Sequence, residues 1–313
     1  MDQPAHGKLM PSLHIFILCH NRPDDARQAI ASVLAQTDTN YTLTISDNSS
    51  NDSVEHMVRE NFPQVVYVRR QPMLRAEEHF YSCITEGLES DYFVLFHDDD
   101  LMAPDYVRAM RDAVLEYPIA IAIGCNALTE INGVIQKRTY FAARRPYEII
   151  TDSKDLSYRY FGRGQSGIAP FPGYLYKSEG VGSSRPPLND GKYGDVIWLL
   201  SLADKGPIIW VRKPLMTYRF HGGNNGLQES RYSRLRILGH IKRNRGRWGL
   251  GLLEDYRCSF IYKPMLRGVG SPTPARRQVA ATFLRRYRWA RYLRMDTYQS
   301  LIHRALVKWA SRT

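Results

Sequence analysis

Cysteine is scarce in this chain of 313 residues: Cys19, Cys83, Cys125 and Cys258 lie far apart and form no CxxC pair. That spacing excludes a cysteine zinc site and a disulfide framework and leaves buried free thiols as the expectation. No run approaches the ~18 apolar residues that cross a bilayer, so no transmembrane segment is predicted. The opening Met1-Asp2-Gln3-Pro4 lacks a basic region followed by an apolar one. No secretory signal is read there, and a cytoplasmic location is expected. No RRM, KH or zinc pattern marks a nucleic-acid module. Acids are scarce in one region: residues 227–313 hold 20 Lys and Arg against Glu229, Glu254, Asp255 and Asp296, a net +16. The residues before them carry 23 basic and 27 acidic side chains, a net −4. Such asymmetry points to a globular body with a basic tail that meets something anionic.

A hydrophobic content of 43% and an aromatic content of 12% are those of a folded chain long enough for an α/β core with an appended piece. Leu13 to Cys19 reads as a first strand, followed by the turn His20-Asn21-Arg22-Pro23 and a helix opened by Asp24 and Asp25. Tyr41 to Ser46 gives a second strand ending at Asp47, and Asp52 is placed to cap a helix from Ser53 to Glu60. Val65 to Val68 reads as a strand, Ala76 to Leu88 as a helix, and Tyr92 to Phe96 as a fourth strand. A helix from Asp105 to Glu116 and a strand from Ile119 to Ile123 follow. Beyond, the pattern turns hairpin-like, with Asn132-Gly133 as the clearest turn. Strands alternating with helices predict a parallel sheet.

The run Tyr92-Phe93-Val94-Leu95-Phe96-His97-Asp98-Asp99-Asp100 moves from a strand buried on both faces straight into three carboxylates. Neighbouring acids repel unless a cation or a hydrogen-bond network offsets them, which suggests a divalent metal. An acidic turn before a helix starting at Pro104 and Asp105 explains the same residues. Polar residues also end the other strands, Asn21 and Arg22 after the first and Asp47 after the second, and ligands bind at such carboxyl ends.

In these features, over roughly residues 12 to 226, the chain resembles the inverting GT-A glycosyltransferases of family 2. The resemblance implies an α/β fold with a mostly parallel central sheet flanked by helices, to which the tail's own charge and periodicity add a basic helical C-terminal extension. With the charge split it divides the chain into a catalytic domain, 1–226 (donor half about 12–125, acceptor half about 126–226), and the extension, 227–313. It implies that Asp47 accepts a hydrogen bond from the donor base, with Asn21 and Arg22 lining the same end. Asp98 becomes the ribose-side acid and Asp99 the metal ligand, Asp100 shares or takes the metal, and His97 stands where the family more often has its first Asp. The implied cofactor is Mg²⁺ or Mn²⁺, which suits oxygen ligands and offsets charge on a departing diphosphate. Phe171-Pro172-Gly173-Tyr174-Leu175-Tyr176 resembles the acceptor-pocket segment. Asp195, in Lys192-Tyr193-Gly194-Asp195-Val196-Ile197-Trp198, becomes the base, its plain alternative being a helix cap. Tyr218-Arg219-Phe220-His221 resembles the family's YRxH signature, with His221 completing the metal shell and Arg219 in support. Among the cations after the third strand, Arg75 is assigned to the donor diphosphate, and Arg69 and Arg70 read as a solvated basic loop.

Gly162-Arg163-Gly164-Gln165-Ser166-Gly167 fits GxGxxG but lacks a βαβ frame and reads as a mobile loop that orders on donor binding. The N-x-S/T matches at Asn40, Asn48 and Asn51 carry no weight in a cytoplasmic protein. From about Gln228 the tail is predicted helical, with Val279, Phe283, Tyr287, Ala290 and Leu293 on one face and arginines crowding the rest. It suits peripheral attachment to an anionic membrane, the inner face of the plasma membrane, or packing on the catalytic domain or a second subunit. The expected activity is transfer of a sugar from a UDP- or dTDP-sugar to a hydroxyl of a cell-surface glycan or lipid-linked oligosaccharide, with no nucleic acid involved. A nucleic-acid-binding protein using the Arg-rich tail and a sugar-nucleotide pyrophosphorylase are the alternatives, the latter without its expected Gly-rich N-terminal signature. A phosphatase would want paired Asp residues where this chain has His20 and Asn21.

Overall fold

Seven elements alternate strictly through the first third of the chain: β1 (Leu13–Cys19), α1 (Pro23–Leu34), β2 (Thr42–Asp47), α2 (Ser53–Asn61), β3 (Val66–Arg69), α3 (Ala76–Gly87) and β4 (Tyr92–His97). This computed structural model describes residues 11–143, 145–162, 168–187, 193–220 and 231–257. Burial on both faces shows in how β1 and β4 divide their side chains. Ile15, Ile17, Val94 and Phe96 enter one apolar cluster, and Phe16, Leu18, Phe93 and Leu95 enter the other. Helix α1 starts on Pro23, whose missing N–H is harmless there, and Asp24 and Asp25 favour its positive end. Its Ala26, Ala29, Ile30 and Val33 lie buried along one stripe.

The remaining elements are β5 (Leu101–Met102), α4 (Tyr106–Glu116), β6 (Ala122–Ile131), β7 (Val134–Ile135), β8 (Tyr147–Ile150), α5 (Ser153–Phe161), a 3-10 turn (Phe171–Gly173), β9 (Tyr174–Lys177), α6 (Ser178–Val181), α7 (Gly194–Ala203), β10 (Ile208–Phe220), α8 (Arg231–Arg243), α9 (Arg245–Trp248) and α10 (Leu250–Tyr256). The sheet runs β3-β2-β1-β4-β9-β6-β10-β5, with β7 beside β6 and β8 beside β10. Its first four strands are parallel. Strand β9 then enters antiparallel to both β4 and β6, and β6 and β10 are parallel again, so the sheet is mixed in its second half. The fifth long strand starts at Ala122, three residues later than the apolar run beginning at Ile119, because Ile119 lies in the exposed turn after α4. The Asn132-Gly133 turn forms as expected, with φ of 50° and 78°, between β6 and β7. Gly173 permits a close crossing: a Cβ there would sit 2.9 Å from Cys125 Sγ and 3.0 Å from Met216 Sδ.

Part of the basic extension belongs to the core. Ile237, Ile241, Trp248, Leu252, Leu253 and Tyr256 are buried in the cluster that holds Leu156 and Phe161 of α5 and Trp198 of α7. Trp248 Nε1 donates to Ser153 Oγ at 3.0 Å, and the Tyr256 ring stands edge-on to Phe161 at 5.5 Å. The stripe from Val279 to Leu293 lies outside the described residues. Cys19, Cys83 and Cys125 are buried free thiols. No helix among the described residues is long and apolar enough to cross a membrane.

Candidate active site

The strand order reverses direction between β1 and β4, so the loops after these two strands are neighbours in a crevice at their carboxyl ends. Register carries the detail: Leu18 pairs with His97, Cys19 with Asp47, and Asp47 with Arg69. The loop His20-Asn21-Arg22 therefore meets Asp98 and Asp99 on one side and Asn48, Ser49 and Ser50 on the other.

Arg22 fastens the first of these contacts. One guanidinium nitrogen lies 2.6 Å from Asp98 Oδ1 and the other 2.5 Å from Asp99 Oδ2. The backbone N–H of His20 donates to Asp98 Oδ2 at 2.8 Å. Burial still dominates the Asp98 carboxyl and pushes its pKa up to about 7, against the pull of Arg22 and the His20 N–H. Burial alone would lower Arg22, but Asp98 and Asp99 outweigh it and hold the guanidinium more firmly charged. Burial, then Asp99, raises Asp100 well above the carboxylate range, although Arg219 opposes both.

Arg219 clamps the acid loop from the far side. Its backbone N–H donates to Asp100 Oδ1 at 3.0 Å, its Nε donates to the Asp99 carbonyl, and its Nη1 donates to Gln28 Oε1 at 2.9 Å. Strand β10 is thus tied to the acid loop and to α1 at once.

His97, Asp99 and Asp100 each offer a ligand atom, and these atoms lie within 4.8 Å of one another. His97 Nε2 and Asp100 Oδ2 are buried and have no hydrogen-bond partner. Orphaned buried polar atoms are costly, and a bound cation would satisfy both, so the residues fit a divalent metal. Burial pushes the His97 imidazole below its ordinary value, with Asp99 opposing, and the neutral ring is the form that ligates. Reading the sequence as a row of acids overlooks His97 as a candidate ligand beside them. Its signal was the histidine standing in the place of an acid.

The other predicted residues divide. Asn21, at φ 56°, binds the two loops together: its N–H donates to Ser49 Oγ at 2.7 Å, and its Oδ1 accepts from Ser50 N at 2.9 Å. Asp47 is fully buried, and its carboxylate accepts from Ser49 N at 2.9 Å, Tyr67 OH at 2.7 Å and Arg69 Nη1 at 3.0 Å. Arg75 stands at the start of α3, its N–H donating to Glu78 Oε2 at 3.1 Å. Two expectations for the third-strand region are corrected. Arg69 and Arg70 do not form a solvated loop, because Asp47 and Glu86 draw them in, Arg70 lying 2.6 Å from Glu86. Asp52 sits at the start of α2 without a side-chain cap bond and instead meets Arg69 at 3.4 Å.

Asp195 lies in the first turn of α7 rather than at its cap position, and its Oδ1 accepts from Val196 N at 2.7 Å. Tyr140 and Tyr218, with ring centroids 5.2 Å apart, lie within electrostatic reach of both Asp195 and the acid loop. Burial first, then Asp100, then Asp195 push Tyr140 up to about 12. Tyr218 is raised by burial and Tyr140, then by Asp100, Asp99 and Asp195. Both rings thus feel the acid loop and Asp195 together. His221, residues 163–167 of the glycine-rich loop, and Lys192 lie outside the described residues.

Residues 14–169 match the family model for glycosyl transferase family 2. A crystal structure of S. aureus TarS residues 1–349 in complex with UDP-GlcNAc shares the fold, with a TM-score of 0.62 at 10% identity over 96% of this chain and 91% of that one. The same TarS segment in complex with UDP superposes with a TM-score of 0.55 at 11% identity, covering 90% of this chain and 93% of that one. No curated protein matches the chain.

Proposed function

Because this chain belongs to glycosyl transferase family 2, whose model spans residues 14–169, we propose that it is a metal-dependent inverting transferase. The donor is a UDP- or dTDP-sugar, and the acceptor is a hydroxyl of a cell-surface glycan or lipid-linked oligosaccharide. The observation that carries this reading is the group His97, Asp99 and Asp100 at the end of β4, in which His97 Nε2 and Asp100 Oδ2 are buried without a hydrogen-bond partner. TarS, of the same fold, is solved with UDP-GlcNAc and with UDP, which supports a uridine donor. Asp99, Asp100 and His97 would hold Mg²⁺ or Mn²⁺, with His221 as the further ligand that the family resemblance implies. The metal, when bound, offsets negative charge on the leaving diphosphate.

The protein's own groups supply the rest. Asp98, held by Arg22 and the His20 N–H, faces the ribose, while Asp47 with Asn21 and Arg22 shapes the base end and Arg75 meets the diphosphate. Asp195 takes the proton of the acceptor hydroxyl as that oxygen attacks the anomeric carbon from the face opposite the diphosphate. Residues 1–226 form the catalytic unit. The +16 charge of residues 227–313, which include the core-packed Trp248 and Tyr256, adds attraction to an anionic membrane surface on the cytoplasmic side.

Release of nucleoside diphosphate from a panel of UDP- and dTDP-sugars tests the reading, since a pyrophosphorylase would consume or form pyrophosphate and a phosphatase would release phosphate. Asp195→Asn is expected to keep donor binding while turnover falls about 10²- to 10⁴-fold. Unchanged turnover would remove Asp195 from its role as base.

A further inference from the structure

We propose that the β6–β7 hairpin is a wedge that enters the interface of an anionic lipid bilayer and holds the crevice at membrane height. The tip is apolar and bare: Ile131, Val134 and Ile135 are 43%, 62% and 52% exposed. Ile131 pairs with Val134 and Glu130 with Ile135 across a two-residue Asn132-Gly133 turn in the left-handed region, so the tip is a stiff protrusion.

Cations follow at a fixed distance. Gln136 N donates to the Thr129 carbonyl and Tyr140 N to the Ala127 carbonyl, so the returning arm stays pinned to β6 as far as Tyr140. Lys137 and Arg138, both exposed, bend outward between these two bonds, so they stand no more than about 10 Å behind Ile135 at about 3.3 Å per residue. Interfacial apolar groups enter lipid by about 5–10 Å, which brings these two cations to the phosphates. Glu130 is the sole acid between Thr129 and Tyr140.

Shape decides the class of partner. A stable protein interface covers about 800 Å² on each side, more than three side chains on a convex tip present. A bilayer accepts a convex wedge and rewards both the apolar tip and its basic collar. The wedge is also coupled to the site: Glu130 pairs with Arg219 and Ile131 with Phe220, and Arg219 donates to Asp100. One strand separates the lipid-facing tip from the acid loop.

The test uses the full chain without donor, so it stands apart from the transferase reading. Val134→Cys in a Cys258→Ser background carries a polarity-sensitive fluorophore and is mixed with vesicles of phosphatidylcholine with or without phosphatidylglycerol. The wedge predicts a rise in emission that requires phosphatidylglycerol and is quenched by brominated acyl chains. In a separate sedimentation assay, Val134→Ser with Ile135→Ser lowers vesicle binding about tenfold. Two outcomes overturn the proposal: binding with dark fluorophore and an unaffected double variant, which assigns attachment to the basic extension, or no vesicle binding at all.

Discussion

His97 is where this site departs from a plain row of acids. An imidazole nitrogen beside two carboxylates suits Mn²⁺ better than Mg²⁺, which favours an all-oxygen shell. His97→Asp is expected to lower Mn²⁺ affinity roughly tenfold while leaving Mg²⁺ binding unchanged or stronger, read by metal-dependent thermal shift. An unaltered preference would take His97 out of the shell. At this scale the sequence drew attention to Arg22 and the acids after β4, which lie together, but not to how they share partners. Asp98, Asp99 and Asp100 stood out because they follow a buried strand without a break. The pairing of Asp47 with Arg69 and of Arg70 with Glu86 depends on β2–β3 register and on where α3 lies, neither of which appears in the spacing of charges.

Helix α3 is fixed to β2 by a buried polar knot. Ser46 Oγ accepts from Arg70 Nε at 2.9 Å and stands 2.8 Å from His79 Nε2, so the buried imidazole sits beside the Arg70 guanidinium. Burial, reinforced by Arg70, lowers His79 from 6.5 to about 4. The sign follows: the unfolded chain binds the proton first, so this contribution is complete above pH 6.5 and is lost as pH falls through that value toward 4. The loss is on the order of 3 kcal/mol. Urea unfolding of the wild type and His79→Gln should therefore show a stability gap that narrows across this window, and a gap independent of pH would refute the knot. The elements themselves were largely legible, because strands buried on both faces read as unbroken apolar runs and α1 as a striped helix. The entry of β9 between β4 and β6 was not, since chain order is silent about a strand that inserts antiparallel between two others.

For the whole molecule, charge asymmetry marked a basic segment without showing how it packs. Residues 231–257 bury Trp248 and Tyr256 against α5, so the basic segment begins as part of the core. Arginine-rich composition concealed this because the few large apolar residues that do the packing are outnumbered by exposed cations. The proposed transferase requires the acids of the crevice where β1, β2 and β4 end to hold a cation that anchors a nucleoside diphosphate. Calorimetric titration of UDP, dTDP and GDP into the wild type and Asp99→Ala, with and without Mn²⁺, tests it most directly. The account predicts that UDP or dTDP binds at least about tenfold tighter with Mn²⁺ and that Asp99→Ala abolishes this gain. Equal affinity with and without the metal in the wild type would contradict it.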